Sequence, residues 1–189
     1  SLISQYIDHS DYNRWLMAGI TLGVILGVVL MLIGDLFSQA TINLYVTDDR
    51  MSGVAQAYFD WRLLSIPGIT LSLAVRSYWA SQHQPWHYSR LLMVTHISNI
   101  PISYALIYGF GPISAMGAAG AGLGTTISIY LGLILQLYAL PKGLFWHNIR
   151  LILPAFLFWP RMIRTALPGA VQQLAFALHL AVLLWIIST

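Results

Sequence analysis

Glutamate is missing from all 189 residues, so six aspartates are the only acidic side chains. Charged residues of both signs make up 8% of the chain, against 58% hydrophobic, and mean hydropathy is +0.71. A soluble domain carries roughly a quarter charged residues. So little charge cannot maintain a surface in water, and lipid is the expected solvent. Cysteine is absent too, which excludes disulfides and thiolate metal sites. The net charge of +3 is small and contains no basic run, so a nucleic-acid partner is not expected. The stretch from Ser1 to Arg14 is polar and lacks the basic start of a cleavable signal peptide. No nucleophile elbow, Walker loop or intramembrane protease signature occurs. Neither an enzyme activity nor a cofactor is expected. The chain opens without Met and stops just after an apolar run, so it is read as a piece of a longer membrane protein.

What the chain does have is long apolar runs. A spanning helix needs about 20 mostly apolar residues. Five segments meet that length: Trp15 to Val46, Ala55 to Ala80, Ser89 to Phe110, Met116 to Leu140, and Met162 to Ser188. Residues Ser1 to Ile7 fit the tail of a preceding helix. The expected fold class is all-α, a polytopic transmembrane helix bundle.

The connections alternate in charge. Asp48, Asp49 and Arg50 join the first two spans, and Gly111 to Ala115 joins the third and fourth without any charge. The opposite ends carry Arg14, Arg76, Arg90, Lys142, Arg150, Arg161 and Arg164. By the positive-inside rule that basic side faces the cytoplasm. The connector from Pro141 to Arg161 holds Trp146, His147, Asn148, Arg150 and Trp159 among Leu and Phe. It reads as a segment along the inner interface, with Trp at headgroup level and Arg reaching outward. A short re-entrant apolar loop is the competing reading.

Gly19, Gly23 and Gly27 lie four apart in the first span, as do Gly120 and Gly124 in the fourth. This spacing lets helix backbones approach closely in lipid and reads as packing. Asn99 and Ser103 share one face of the third span, with Pro101 between them. Pro101 has no N–H to give the carbonyl of Ile97. Asn99 stands about 15 Å beyond Ser89, near the middle of a core about 30 Å thick. Polar groups at that depth are costly unless they face protein or water. Thr125 and Thr126 belong at a similar level in the next span. These groups form either a solute or ion site or a hydrogen-bonded cluster that only joins helices.

Asp35 is the only carboxylate well inside an apolar run, which makes it a candidate proton site. Its position about 30 Å along the helix from Trp15 favours the outer boundary instead. Asp60 and Arg62 are expected at the outer interface beside Trp61, and Arg76 at the inner one, snorkelling. Among the six histidines, His83 and His87 are four apart but flank Pro85, and His179 lies in the last span. They give at most a weak metal site and a structural imidazole.

From Leu44 to Ser128 the chain resembles the multidrug and toxic compound extrusion (MATE) family of antiporters. Ser4-Gln5 and Asp11-Tyr12 match that family's loop after its second helix. Ala57 to Arg62 followed by Ile66-Pro67-Gly68 resembles the start of its fourth helix, and this motif brings Tyr58 into the candidate site. Asn99-Ile100-Pro101 and Tyr108-Gly109 resemble its fifth helix, Gly117 to Ser128 its sixth, and Ala166-Leu167-Pro168 the start of its seventh.

The resemblance implies a truncated MATE-like N-terminal lobe. Residues 1–140 would hold the end of helix two and helices three to six. Residues 141–161 would be the connector between lobes, and 162–189 the first helix of the second lobe. It implies an exporter of organic cations and drugs, driven by H⁺ or Na⁺, working by alternating access in the cell inner membrane. Its partners would be the lipid bilayer, a small organic solute and the opposing lobe. Asn99, Thr125 and Ser72 match site positions of the family, and Ser103 stands where members carry Asp or Asn. An acid of helix one lies outside the chain, and Phe176 sits where some Na⁺-coupled members have Glu. Two rival readings remain. One is a lipid-linked oligosaccharide flippase, which would line its cavity with Arg and Lys. The other is a non-transporting scaffold subunit, which would pack these polar groups dry.

Overall fold

A computed structural model describes residues 9–46, 48–140 and 156–168, with positions 171, 172, 175 and 179 beyond them. It contains five long helices: α1 His9–Tyr45, α2 Asp49–Leu63, α3 Ile66–Ser81, α4 Pro85–Tyr108 and α5 Ala118–Ala139. A short 3-10 turn, Phe156–Phe158, leads into a further helical stretch over 159–168. Among the described residues the only β pairing is one isolated bridge. Three of the helices are long and apolar enough to cross a bilayer, over Trp15–Asn43, Pro85–Tyr108 and Ala118–Ala139. The connector over 141–155 and most of the fifth expected span lie outside the described residues.

The second expected span, Ala55 to Ala80, differs from its reading. It starts earlier, at Asp49, and is broken at Leu64–Ser65 into α2 and α3. Asp48 caps α2, its carboxylate accepting from the Arg50 N–H at 2.8 Å. The break follows from Pro67 in the first turn of α3. Proline brings no N–H, so the carbonyl of Leu63 loses its helical donor. The Ser65 N–H bonds back to the Arg62 carbonyl at 3.0 Å, a tighter turn than α-helix.

In hydrocarbon the freed carbonyls must find other donors. α5 supplies two of them. Thr126 Oγ1 donates to the Trp61 carbonyl at 2.6 Å, and Tyr130 Oη to the Leu64 carbonyl at 2.9 Å. The Ser65 hydroxyl covers Arg62 at 2.6 Å.

α4 and α5 form a hairpin. Its turn uses left-handed backbone at Gly109, Gly111 and Gly117, where a side chain would be strained. The N–H groups of Met116 and Gly117 return to the carbonyls of Leu106 and Ile107 and close the end of α4. The two helices then run together along a row of small residues. Gly120, Gly124 and Gly132 of α5 face Leu106, Ser103 and Thr95 of α4. A Cβ added at Gly124 would stand 2.7 Å from the Ser103 Cα, so only glycine permits this approach.

On its other side α5 meets α2 at Gly122, which lies against the Tyr58 carbonyl, and α3 at Gly68. α1 packs on α3 where Gly23 and Gly27 meet Thr70 and Pro67. Gly19, the third member of that row, faces Met162 instead.

A buried apolar cluster joins Leu16, Met17 and Ile20 of α1 to Val75, Tyr78 and Trp79 of α3, Tyr88 of α4 and Leu140. It therefore gathers the start of α1, the end of α3, the start of α4 and the end of α5. α1, the broken α2–α3 span, α4 and α5 therefore alternate in direction, as the loop charges require. Cations decorate this same end: Arg76 lies over Tyr88 at 5.7 Å, Arg90 over Trp86 at 5.3 Å and Arg161 over Trp15 at 6.0 Å. Elsewhere the outer faces of α1 and α4 are apolar and exposed, Leu36, Ile97 and Ile100 among them, as a lipid-facing surface requires.

Candidate functional site

Polar side chains inside such a bundle have to be placed by packing. α5 does this because its buried residues are almost all small or polar: Gly120, Gly122, Gly124, Thr126, Ser128, Gly132 and Gln136, with Leu133. The α4 hairpin register pairs 120 with 106, 124 with 103 and 132 with 95. The same spacing sets Asn99 level with Ser128. Below the tight crossing at Gly124 the helices enclose a cleft of about 310 Å³ between α2, α3, α4 and α5. Its polar lining comes from Arg62, Ser72, Thr95, His96, Asn99, Thr125, Ser128 and Gln136.

Several of these groups are already satisfied. Ser72 Oγ donates to Gln136 Oε1 at 2.7 Å, joining α3 to α5 across 64 positions of sequence. Thr95, Thr125 and Ser128 each donate to a carbonyl one turn earlier in their own helix. Two nitrogen donors are not satisfied. Arg62 Nη1 and Asn99 Nδ2 are both buried without a hydrogen-bond partner. Leaving a buried donor unpaired costs about 1–3 kcal/mol, and more for a charged group.

The candidate residues fall into two groups. Asn99, Thr125 and Ser72 line the one cleft. Ser103, Tyr58 and Asp35 do not. Ser103 is wedged against Gly124 at the helix crossing, its hydroxyl buried without a partner. Tyr58 is 39% exposed, and its carbonyl lies against Gly122 of α5. Asp35 is exposed on α1, where its carbonyl accepts from Ser38. His83 and His87 do not assemble a ligand set: His87 stacks on Trp79 at 4.9 Å. Among the described residues no group of metal-ligating side chains converges. His179 of the last expected span is helical and exposed.

Arg62 corrects its sequence reading. Placed at the outer interface by counting from Ala55, it lines the cleft instead. α2 begins at Asp49, so Arg62 lies 13 residues in, about 20 Å along the helix. The cleft therefore does carry a charge at depth. Asp60 is exposed and accepts from the Gln56 amide, and no ion pair between it and Arg62 is present among the described residues. The C-terminal end of α2 favours a cation in its last turn. That gain is below the cost of about 2.5–3.5 kcal/mol for Arg at membrane depth.

Gln136 was also missed. It is 2% exposed and holds Ser72. Its signal is in the sequence: Gly120, Gly124, Ser128, Gly132 and Gln136 continue one row with a step of four. Ser128 belongs to the same row, whereas Thr95 carries no comparable sign.

The comparisons agree with the residue-level resemblance. The MatE family profile matches residues 8–108. A probable multidrug resistance protein NorM of Neisseria meningitidis serogroup B is 26% identical over 67% of this chain and 28% of its own length. A protein of the same description from Oceanobacillus iheyensis is 21% identical over 85% of this chain and 37% of its own. One from Acinetobacter baylyi is 30% identical over 36% of this chain and 15% of its own. The chain thus spans well under half the length of these relatives. No solved structure matches it significantly. The family profile covers more than half of the chain, and the chain belongs to the MatE family.

Proposed function

We propose that this chain is part of an inner-membrane transporter that exports amphipathic organic solutes, organic cations among them, by alternating access. Inward movement of H⁺ or Na⁺ drives the export. The observation that supports this reading is a cleft at membrane depth lined by Asn99, Ser72, Thr125 and Gln136. A bundle held together only by dry packing would fill such a space. The NorM description of the relatives points the same way.

Within the cleft the Asn99 amide, the Thr125 hydroxyl and Gln136 Oε1 offer neutral oxygens to a small cation. The described lining contains no carboxylate, so the negative charge for ion coupling comes from an acid on another helix. The break at Leu64–Ser65 and the proline at Pro101 are the joints at which α3 and α4 bend as the seam opens and closes. The opposing lobe supplies the other wall of the solute path.

Arg62 gives the flippase reading one supporting cation. A pyrophosphate needs several, and Arg76 and Arg90 are held over Tyr88 and Trp86 instead. The exporter reading stands ahead of it.

The test is Asn99→Ala in the complete transporter, read as efflux of a fluorescent organic cation from cells. Losing one ligand of the coupling ion is worth about 1.5–3 kcal/mol, or roughly tenfold or more in ion affinity. Efflux should fall accordingly and require a higher ion gradient. Unchanged efflux with unchanged ion dependence removes Asn99 from the mechanism.

A further inference from the structure

The basic end of the bundle holds a further cavity, of about 270 Å³, between the end of α3 and the start of α4. Arg76, Ala80, Pro85, Tyr88, Ser89 and Leu92 line it. Tyr88 and Leu92 also line the α2–α5 cleft, so the two spaces are neighbours with a shared wall. Arg76 lies little more than one turn before the end of α3 at Ser81, and Ser89 about one turn after the start of α4 at Pro85. The cavity is therefore within about 8 Å of these helix ends. The headgroup layer on each side of the hydrocarbon is about 5–8 Å deep, which puts lipid phosphates at this level.

Arg76 is the one charged side chain of the lining. It is exposed and stands over the Tyr88 ring at 5.7 Å. A cation over a ring face uses none of the planar N–H fork of a guanidinium. Among the described residues no carboxylate or other acceptor engages that fork. The Ser89 hydroxyl is already donated to the Pro85 carbonyl at 3.2 Å, so Arg76 is the free donor of the site. Arg90 follows Ser89 on α4 and stands over Trp86 at 5.3 Å, which adds a second fixed positive charge beside the cavity.

We propose that this cavity binds the phosphate of an anionic phospholipid of the inner leaflet, with Arg76 as its donor. A guanidinium takes phosphate oxygens in pairs. A zwitterionic lipid offers the same phosphate, but its ammonium group is repelled by Arg76 and Arg90. Ala80, Pro85 and Leu92 give an apolar side for the glycerol and the first acyl carbons, and Met93 and Ile97 are exposed just beyond Leu92 for the chain to follow. The site is separate from the solute cleft, and lipid binding there holds whichever solute the cleft takes.

The delipidated complete transporter, in a neutral detergent at 0.15 M salt, is titrated with phosphatidylglycerol or with phosphatidylcholine of identical acyl chains. Native mass spectrometry counts the bound lipid. The wild-type protein should prefer phosphatidylglycerol by about tenfold or more. Arg76→Gln should remove most of that preference, and Arg76→Lys should keep part of it. Ala80→Phe fills the cavity without changing charge and should weaken phosphatidylglycerol binding as well. Arg161→Gln removes a charge at the same end but outside the cavity, and screening over about 8 Å should leave the preference nearly intact. Retained helical circular dichroism in each variant shows that the fold survives. Equal binding of the two lipids to the wild-type protein, or a preference that survives both Arg76→Gln and Ala80→Phe, overturns the site. An equal loss in Arg161→Gln overturns it too, in favour of diffuse attraction to the basic surface. Displacement of phosphatidylglycerol by equimolar glycerol 3-phosphate overturns the lipid and leaves a site for a soluble phosphate.

Discussion

Thr126 Oγ1 donates to the Trp61 carbonyl at 2.6 Å while also reaching its own Gly122 carbonyl at 3.0 Å. One hydroxyl therefore ties α5 to α2 just before the break at Leu64–Ser65. The helix can be interrupted at membrane depth because a neighbour takes over its carbonyls. Arg62 follows Trp61 directly, so the same bond helps to hold that turn of α2 beside the cleft.

Thr126→Val keeps the shape and removes the donor. The Trp61 carbonyl is then unsatisfied, and the bundle should lose about 1 kcal/mol. Unfolding by titration with a denaturing detergent measures this. Tyr130→Phe removes the donor to the Leu64 carbonyl in the same way and should cost a similar amount, about 1 kcal/mol, since hydrocarbon offers no replacement.

Glycines of opposite sign give a second check. Gly124→Ala puts a methyl group 2.7 Å from the Ser103 Cα and must push α4 off α5. A cost of about 1–3 kcal/mol is expected from overpacking. Gly53 lies in α2 with nothing within 4 Å of an added Cβ. Gly53→Ala should instead stabilise by about 0.5–1 kcal/mol through helix propensity. The same detergent titration reads both.

Ser72 and Gln136 form the one side-chain bridge that crosses from α3 to α5 among the described residues. A double-mutant cycle with Ser72→Ala and Gln136→Leu should return a coupling of about 0.6–1.7 kcal/mol. Purely additive losses would mean that the two side chains do not hold each other.

How far these features can be read from sequence depends on whether they are local. The long apolar runs of α1, α4 and α5 are summed hydropathy, and the alternation of helix direction follows from Arg76, Arg90 and Arg161 against Asp48 and Asp49. The placement of Asn99, Ser72 and Thr125 on one cleft is reachable from helical spacing plus depth. The break between α2 and α3 is not. Pro67 announces a bend, but whether the chain breaks there depends on donors 60 or more residues away, Thr126 and Tyr130. Arg62 was misplaced for a related reason. Its depth was counted from the first apolar residue, while Asp48 caps a helix that starts well before it. Ser103 shares a helical face with Asn99, yet glycine at position 124 brings α5 down onto it and closes the space.

The chain contains no cysteine, so single cysteines report water access without background. The decisive comparison is Asn99→Cys and Thr125→Cys against Ile100→Cys and Ile134→Cys, labelled in membranes with a charged, water-soluble maleimide. Ile100 and Ile134 are 70% and 64% exposed on the outside of the bundle, where hydrocarbon suppresses the thiolate that reacts. A hydrated seam predicts labelling at 99 and 125 that is about tenfold or more faster than at 100 and 134. Inert cysteines at 99 and 125 beside reactive ones at 100 and 134 would contradict a polar cleft open to water and leave a dry bundle in its place.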